Sequence, residues 1–359
     1  MIWSGTKIII QAAVTIISVS AYSQRHAVTT IDSVLQNMTQ KDLFSGAVLI
    51  ANGDRVLLSK GYGYADRERK IPNTVNTRFS MSSGSKIFTG TAITLLAQQN
   101  KLRFQDSVGR YLKGLHNGNK IKIHQLLTHS AGVDDFFNAP NFSYKGVTSC
   151  TDLLPVMSKL KPVYEPGESC IYSTGDCILL GAIIEKITGV SFPVYINETF
   201  LKPLNMVNTV FTAYRMLNPR QTEYAVGYEK AGKGYLRKPY DYDPDFVPLS
   251  AGGVWSSAHD IYLFDKAVFS GKFLNRHFLE RMTKGYTQQW EDTSFGYMWI
   301  NSIKKGHPGI GHPGSSSGWV MVNEYYPAQN VIIIILSNFG SVDAELLLTR
   351  FETLLFDKN

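Results

Sequence analysis

Residues 79–89 read FSMSSGSKIFT and place Ser83 three positions before Lys86. Small polar residues are typical of a helix N-terminus, and the apolar positions that follow predict a helix from Lys86 to Gln99. Positions i and i+3 on the first turn of a helix share a face, so the lysine amine can lie beside the serine hydroxyl and accept its proton. A helix N-terminus can also stabilise an oxyanion. The stretch therefore predicts an activated serine.

The same serine–lysine spacing occurs at three other places in the chain. Their contexts argue against catalysis: an apolar leader, the end of a helix before a proline, and a Lys-Lys loop. These pairs are Ser4/Lys7, Ser158/Lys161 and Ser302/Lys305. Because the bare pattern is nonspecific, a plain N-cap serine is the alternative for Ser83. Its position at the start of an apolar helix favours the nucleophile.

A rival serine motif lies near the C-terminus, where residues 314–318 read GSSSG. This matches the G-x-S-x-G turn that would present Ser316 as the nucleophile of an α/β-hydrolase. That fold needs a histidine after the serine, and the last histidine of this chain, His312, comes before it. The residues after Gly318 also predict a strand, whereas the nucleophile turn leads into a helix. We therefore favour Ser83 over Ser316.

The composition is that of a folded globular protein. Of the 359 residues, 44% are hydrophobic and 18% are charged, which excludes a disordered chain. The net charge of +7 comes from positive residues scattered among acids, and this argues against nucleic acid as a partner. None of the eight histidines lies in an H-E-x-x-H or H-x-x-E-H motif, so we expect no metal and no cofactor.

The first 23 residues predict a secretory signal peptide. Lys7 precedes an apolar run that ends near Val19, too short to span a bilayer, and Ala21 and Ser23 suit a cleavage site. Cleavage would leave residues 24–359 as one exported domain, periplasmic or extracellular, with no stable membrane span; an uncleaved anchor that retains the protein at the membrane is the alternative. The three cysteines allow one disulfide bond in an oxidising compartment, or buried free thiols.

Strands are predicted at both ends of the chain, with helices between them. The hairpin signal Asn52-Gly53-Asp54 separates two β-rich runs, and the region from about 83 to 275 is mainly helical by pattern. We therefore expect an α+β fold: an antiparallel sheet built from both chain ends, flanked by helices, with a helical region inserted between its two parts. The predicted strands are 44–51, 55–61, 295–302, 318–326 and 331–337, and the main predicted helices are 28–38, 86–99, 178–188 and 342–356. The His-Pro-rich residues 306–314 predict turns.

Several further motifs follow the serine–lysine stretch in a characteristic order. They are HQLLTHSAGV from His124, YEPG from Tyr164, YSTGDCILLGAIIEKITG from Tyr172, SAGGVWSSAHDIYLF from Ser250, and GHPG at 311–314. Together these motifs resemble the serine β-lactamase and penicillin-binding-protein superfamily, in particular its class C-like branch, which also contains family VIII esterases and D-amino-acid peptidases. The resemblance runs from about Phe44 to Asn338 and implies a β-lactamase/transpeptidase-like fold.

The resemblance implies a role for each matching residue. Ser83 would be the acylated nucleophile and Lys86 its proton acceptor, which requires a neutral amine. Tyr172 stands where the superfamily has the tyrosine that passes a proton to the leaving group, and a core tyrosine is the alternative. His312 stands where the superfamily has K-T-G or H-x-G and would help to hold the substrate carboxylate and Tyr172. The backbone N–H groups of Ser83 and Ser315 would form an oxyanion hole.

Two positions depart from the superfamily pattern. Thr174 replaces the asparagine two residues after Tyr172, and Pro313 replaces a hydroxyl residue before Gly314; Thr174 and Gly314 would contact the substrate. Both changes remove hydrogen-bonding groups that suit a peptide-like amide.

We therefore expect an exported serine hydrolase whose small-molecule or peptidoglycan-like substrate has an ester, a D-amino-acid peptide or a β-lactam bond. An esterase or a D-Ala-D-Ala carboxypeptidase-like enzyme is favoured over a dedicated β-lactamase. The alternative is a penicillin-binding or sensor-like homologue that is acylated but turns over slowly or not at all.

Overall fold

The computed structural model describes residues 24–212, 223–232, 234–238 and 248–357, which form helices and antiparallel strands. The helices are α1 (residues 24–40), α2 (Lys86–Gln98), α3 (Ile123–Leu127), α4 (Leu154–Met157), α5 (Thr174–Thr188), α6 (Phe192–Ile196), α7 (Ala258–Phe269), α8 (Arg276–Thr283) and α9 (Ala344–Phe356). The strands are β1 (Gly46–Asn52), β2 (Arg55–Tyr62), β3 (Tyr64–Asp66), β4 (Ile71–Pro72), β5 (Phe79–Ser80), β6 (Tyr228–Ala231), β7 (Gly234–Arg237), β8 (Trp255–Ser256), β9 (Thr293–Phe295), β10 (Ile300–Lys304), β11 (His307–Gly311), β12 (Gly314–Ser316), β13 (Trp319–Tyr326) and β14 (Val331–Ser337). Short 3₁₀ or π turns lie at Ser82–Ser85, Val108–Arg110, Phe136–Asn138, Thr151–Leu153, Asn197–Leu201 and Lys202–Leu204.

The main sheet is built from both ends of the chain, as the sequence predicts. Within the described residues it has eight strands in the order β2-β1-β14-β13-β11-β10-β9, with β12 paired to β13 beside this path. Strand β1 lies between β2 and β14, and Gly46 faces Tyr62 on one side and Ser337 on the other. The turn at Asn52-Gly53-Asp54 joins β1 to β2, and Gly53 has the positive φ, 55°, that such a turn needs.

Strand β14 is buried on both faces, which explains its unbroken apolar sequence VIIIILS. Because side chains alternate along a strand, Ile332 and Ile334 join the core beneath the helical region, while Ile333 and Ile335 join a second core against α1 and α9. Burial of one such side chain contributes roughly 1.5–3 kcal/mol. The sheet is therefore the middle layer between two sets of helices.

Helices α2 and α5 bring distant parts of the chain to one place. Both are buried along nearly their whole length and pack against each other. Lys86 is the first residue of α2, and Thr174 is the first residue of α5. The N-termini of the two helices therefore meet at one site.

The predicted strand 295–302 is wrong, because the chain turns in its middle. Strand β9 ends at Phe295 and β10 begins at Ile300; between them the N–H of Gly296 donates to the carbonyl of Trp299 (2.7 Å), and Met298 has a φ of 58°. The apolar residues of this turn are buried against α2, since a Cβ on Gly90 would lie 2.0 Å from the Tyr297 carbonyl oxygen. Their hydrophobicity comes from that packing rather than from a strand.

The turn-rich prediction for residues 306–314 is also wrong in part, since His307–Gly311 forms strand β11. Glycines at 309 and 311 allow β11 to cross close to β13: a Cβ on Gly311 would lie 1.8 Å from the Asn323 carbonyl oxygen. The irregular parts are the turn at Gly306, before β11, and the two residues that join β11 to β12.

All three cysteines are free thiols in the structure; Cys150 and Cys177 are buried and Cys170 is half-buried.

The predicted signal peptide lies outside the described residues. In the part of the chain that is described, no single helix is both long and apolar enough to cross a membrane. The helical segments Thr174–Thr188 and Phe192–Leu204 would be long and apolar enough together, but they meet at an angle of 73°.

Candidate active site

Ser83 lies in the 3₁₀ turn Ser82–Ser85, immediately before α2. The α-helix begins at Lys86, as predicted, so Ser83 lies in a 3₁₀ turn before the helix rather than on its first turn. Its neighbour Ser82 has a φ of 47°, a left-handed conformation that is costly for a residue with a side chain. The hydroxyl of Ser82 donates to Ser316 Oγ at 2.8 Å and so ties this strained turn to β12. Backbone strain of this kind is concentrated at functional sites.

Lys86 is almost fully buried, with 1% of its surface exposed. Its Nζ lies 3.1 Å from Ser83 Oγ and 2.5 Å from the carbonyl oxygen of Ala251. Since a carbonyl can only accept, one N–H of Lys86 is directed to Ala251. The amine nitrogen is thus fixed beside the serine hydroxyl, in a position suited to accept its proton.

Tyr172 lies next to this pair, directly before Ser173, the N-cap of α5. Its ring centroid is 4.9 Å from Lys86 Nζ, and its backbone N–H donates to Gln289 Oε1 at 2.6 Å. The ring is partly exposed, but its hydroxyl oxygen is buried and makes no hydrogen bond of ordinary geometry within the described residues. Burial raises the pKa of Tyr172, and the positive charge of Lys86 and the nearby Ser83 hydroxyl oppose this rise. Tyr172 therefore lies beside the serine–lysine pair, and its role in proton transfer stays a prediction.

A buried histidine and aspartate support Tyr172 from behind, and the sequence assigned them no role. The His129 ring lies 4.6 Å from the Tyr172 ring, and its Nδ1 is 3.1 Å from Asp176 Oδ2. Burial lowers the pKa of His129 well below its usual value and raises that of Asp176 well above its usual value. Burial therefore disfavours the charged form of each group. His129 lies within the HQLLTHSAGV motif, so the sequence could single out the residue but not its contacts with Tyr172 and Asp176.

Asp135 is a second residue that sequence reasoning missed. Its carboxylate accepts hydrogen bonds from the Gly175 N–H (2.8 Å) and the Ser173 hydroxyl (3.2 Å) at the N-terminus of α5. Burial raises the pKa of Asp135, while these hydrogen bonds and the charge of Lys86 lower it. Asp135 therefore fixes the helix start that carries Tyr172 and Thr174.

His312 is buried and neutral. Its Nδ1 lies 2.7 Å from the Pro313 carbonyl oxygen, which can only accept, so Nδ1 carries the proton and Nε2 is left as an acceptor. Burial, and to a smaller extent the positive charge of Lys86, lower the pKa of His312 to about 3. The His312 ring lies 6.1 Å from the Tyr172 ring. At neutral pH His312 therefore contributes hydrogen bonding to the site rather than a positive charge.

A buried polar network holds the backbone of His312. Its N–H donates to Asn323 Oδ1 (3.2 Å), and Asn323 Nδ2 lies 3.0 Å from Asp265 Oδ2 on α7. Burial raises the pKa of Asp265 to about 7, and the Asn323 hydrogen bond opposes that rise. An unfolded aspartate titrates near its ordinary value of 3.8. Between these two values the folded protein keeps a proton that the unfolded chain has lost, so the contribution of Asp265 to the free energy of unfolding falls as the pH rises.

Asp265→Asn is expected to become progressively more stable relative to the wild type as the pH is raised. The variant lacks the ionisable group, so between pH 5 and 7 it should gain about 1–2 kcal/mol in free energy of unfolding over the wild type. Urea unfolding followed by tryptophan fluorescence at both pH values measures this difference. Asp292→Asn, at an exposed position, is the control and should show no such change. An Asp265→Asn difference that is independent of pH would contradict the assignment.

Strand β12 packs directly on the turn that carries Ser83. A Cβ on Gly314 would lie 2.1 Å from the Met81 carbonyl oxygen and 2.7 Å from the Gly84 nitrogen, so only glycine permits this approach. Ser315 follows, paired with Val320 of β13. The structure thus brings β12 to the 3₁₀ turn that carries Ser83. The oxyanion hole of the Ser83 and Ser315 N–H groups stays a prediction.

A cavity that is open to solvent lies beside the serine–lysine pair. Ser83, Lys86 and Thr174 line it together. Thr174 therefore lines the same cavity as the serine–lysine pair, and its contact with a substrate stays a prediction. Gly314 is not among the residues that line this cavity; it lies on the β12 side of Ser83.

The rival serine, Ser316, does not lie on a nucleophile turn. It ends strand β12, and the residues after Gly318 form strand β13, so the motif joins two strands. A G-x-S-x-G nucleophile turn joins a strand to a helix instead. The prediction against Ser316 is consistent with this geometry.

Comparisons with known proteins agree with the geometry. Residues 31–351 match the family model described as "Beta-lactamase". The chain is 28% identical over 326 residues to penicillin-binding protein 4* of Bacillus subtilis (strain 168), covering 86% of this chain and 71% of that protein. The structure is similar to that of a penicillin-binding protein from Bacillus halodurans, with a TM-score of 0.79, 25% identity and coverage of 91% and 98% of the two chains. It shares its fold with the D-amino acid amidase of Ochrobactrum anthropi SV3, with a TM-score of 0.76, 21% identity and coverage of 92% and 98%.

Proposed function

The chain belongs to the beta-lactamase family, and we propose that it is an exported serine hydrolase that acts through an acyl-enzyme on Ser83. The observation that carries this proposal is the pair formed by Ser83 Oγ and the buried Lys86 Nζ, 3.1 Å apart. A buried amine within hydrogen-bond reach of a serine hydroxyl is the arrangement that activates such a nucleophile. The apolar leader of the first 23 residues supports export.

The reaction proceeds in two balanced steps. The reactive form is the one in which Lys86 has lost its own proton to solvent. In acylation, Ser83 Oγ then forms a bond to the substrate carbonyl carbon, its proton passes to this neutral amine, and the oxyanion accepts from the N–H groups of Ser83 and Ser315. Tyr172 donates a proton to the leaving group as the old bond breaks and regains one from Lys86. In deacylation, water attacks the ester, gives its proton to the same groups, and Ser83 leaves protonated.

His312 takes part as a neutral hydrogen-bond acceptor. Its Nε2 is buried and has no hydrogen-bond partner among the described residues. The Nε2 of a neutral imidazole can accept a hydrogen bond from the Tyr172 hydroxyl or from a donor group of the substrate. Because it carries no charge at neutral pH, it gives little attraction to a substrate carboxylate, and this favours substrates without one at that position.

An enzyme and a slowly recycling penicillin-binding homologue differ in the lifetime of the acyl-enzyme. We expect the protein to release acyl groups from small activated esters within seconds and to recycle, with turnover measured by product formation beyond one equivalent. The sensor alternative is favoured by Thr174, which replaces an amide that would contact the substrate. A burst of one equivalent followed by a label that persists on Ser83 for hours would support that alternative instead.

Thr174→Asn is expected to increase reactivity toward lactams and D-peptides. Asparagine offers two donors and an acceptor on a longer side chain, and a transition-state hydrogen bond of this kind contributes roughly 1–3 kcal/mol, or about one to two orders of magnitude in rate. We expect little or no cephalosporin turnover by the wild type and a gain of about tenfold or more in the variant, measured as kcat/KM. Thr174→Ser is the control and should show no gain. Efficient cephalosporin hydrolysis by the wild type would show that Thr174 does not limit the substrate range.

A further inference from the structure

The cavity beside Ser83 is apolar away from the catalytic pair. Among the residues that line it in the described structure, Lys86 is the one charged side chain. The wall is otherwise made mainly of aromatic and aliphatic side chains. These are Phe136, Phe137, Tyr144, Leu153, Ile178 and Leu249.

The aromatic part of this wall is a preformed cluster of rings. Phe136, with 2% of its surface exposed, lies 5.1 Å from Phe142 and 5.4 Å from Phe137, and Phe142 lies 4.8 Å from Tyr144. All these ring pairs are edge-to-face, an arrangement favoured by the aromatic quadrupoles. Phe137 is half exposed, at 50%. An exposed ring at the border of an apolar cavity is suited to cover a bound apolar group.

The position of the proton-donating groups decides whether the acyl half or the leaving-group half of a substrate enters the cavity. A leaving group must depart beside a group that can protonate it, here Tyr172. Neither Tyr172 nor His312 lines the cavity, although Ser83 does. The half that stays bonded to Ser83 is therefore the half that can extend into the cavity.

We propose that this cavity is an acyl pocket that binds an uncharged apolar acyl group, so that the natural substrates are derivatives of hydrophobic acids. The inference rests on the proposed acyl-enzyme at Ser83. Ionised acyl chains are disfavoured because the described lining holds no cationic side chain other than Lys86, whose amine already contacts Ser83 and Ala251.

The proposal is tested with p-nitrophenyl esters of acetic, butanoic and hexanoic acid. Each buried methylene can raise kcat/KM by up to about fourfold, so the hexanoyl ester should exceed the acetyl ester by at least about tenfold after correction for hydroxide-catalysed hydrolysis. The half-ester of adipic acid, with the same chain length and a terminal carboxylate, should be at least about tenfold slower than the hexanoyl ester.

A variant at the border of the cavity links this preference to the structure. Phe137→Ala should lower the hexanoyl-to-acetyl ratio by at least about threefold, because part of the acyl chain loses its apolar cover. Leu236→Ala, at a 61% exposed position of β7 outside the cavity, is the matched control and should leave the ratio unchanged.

The outcomes separate the two proposals. Acylation of Ser83 by all three esters, with no preference for chain length or with faster reaction of the adipoyl ester, would overturn the acyl pocket and leave the serine hydrolase intact. An unchanged ratio in Phe137→Ala would also overturn the pocket. Failure of every ester to acylate Ser83, checked by intact mass, would overturn the proposed function and this inference with it.

Discussion

Ser83→Ala is expected to abolish covalent labelling and hydrolysis. The variant removes the hydroxyl that lies 3.1 Å from Lys86 Nζ and that forms the acyl bond in the proposed reaction. Loss of a catalytic nucleophile lowers kcat by several orders of magnitude, so a fall of at least about a thousandfold is expected with any accepted ester. The measurement is peptide mapping after reaction with a fluorophosphonate or a fluorescent penicillin, together with the hydrolysis rate. In the wild type the label should lie on Ser83 alone.

Ser316→Ala supplies the control for this experiment. Ser316 Oγ accepts from Ser82 at 2.8 Å, so its loss weakens one hydrogen bond next to the turn but leaves the nucleophile in place. Labelling of Ser83 should persist in this variant. Label found on Ser316 in the wild type, or full labelling of Ser83→Ala, would transfer the reaction to the C-terminal serine motif.

Lys86→Arg and Lys86→Met are both expected to lose acylation while the fold is kept. Arginine keeps the charge but cannot act as a base, and methionine fills a similar volume without a nitrogen. General-base catalysis contributes about 10²–10⁴-fold, and the rate of acylation should fall by that factor in each variant. The measurement is the pseudo-first-order rate of ester or fluorophosphonate labelling at saturating enzyme.

The Ser158/Lys161 pair provides a matched control for Lys86. Lys161 is exposed, and Lys161→Arg should label at the wild-type rate. Thermal unfolding shows whether each Lys86 variant is folded, and the methionine variant keeps the test meaningful if the larger arginine is not accommodated in the buried site. A folded Lys86 variant that retains more than about a tenth of the acylation rate would remove Lys86 from the role of base.

Much of the fold could be predicted from local patterns. Strand β14 is unbroken in hydrophobicity because both faces are covered, and the hairpin at Gly53 needs only a short turn with a positive φ. Such features depend on neighbours in sequence. The prediction failed at residues 295–302, where apolar side chains are buried by α2, a segment about two hundred positions away, and form a turn. The hydrophobicity of residues 295–302 reflects their burial and does not indicate a continuous strand.

The sequence by itself determined the order of the motifs and the family resemblance. It also determined the choice of Ser83 with Lys86, because a spacing of three residues within one helical turn places two side chains next to each other whatever the rest of the fold is. Only the tertiary structure decided the surroundings of that pair. The Ala251 carbonyl that fixes Lys86 is 165 positions away, and the neutral state of His312 follows from its burial and from the charge of Lys86. Contacts of this kind depend on how helices and sheet pack, and a pKa depends on the solvent excluded and the charges nearby. Neither quantity is a property of a residue or of its neighbours along the chain.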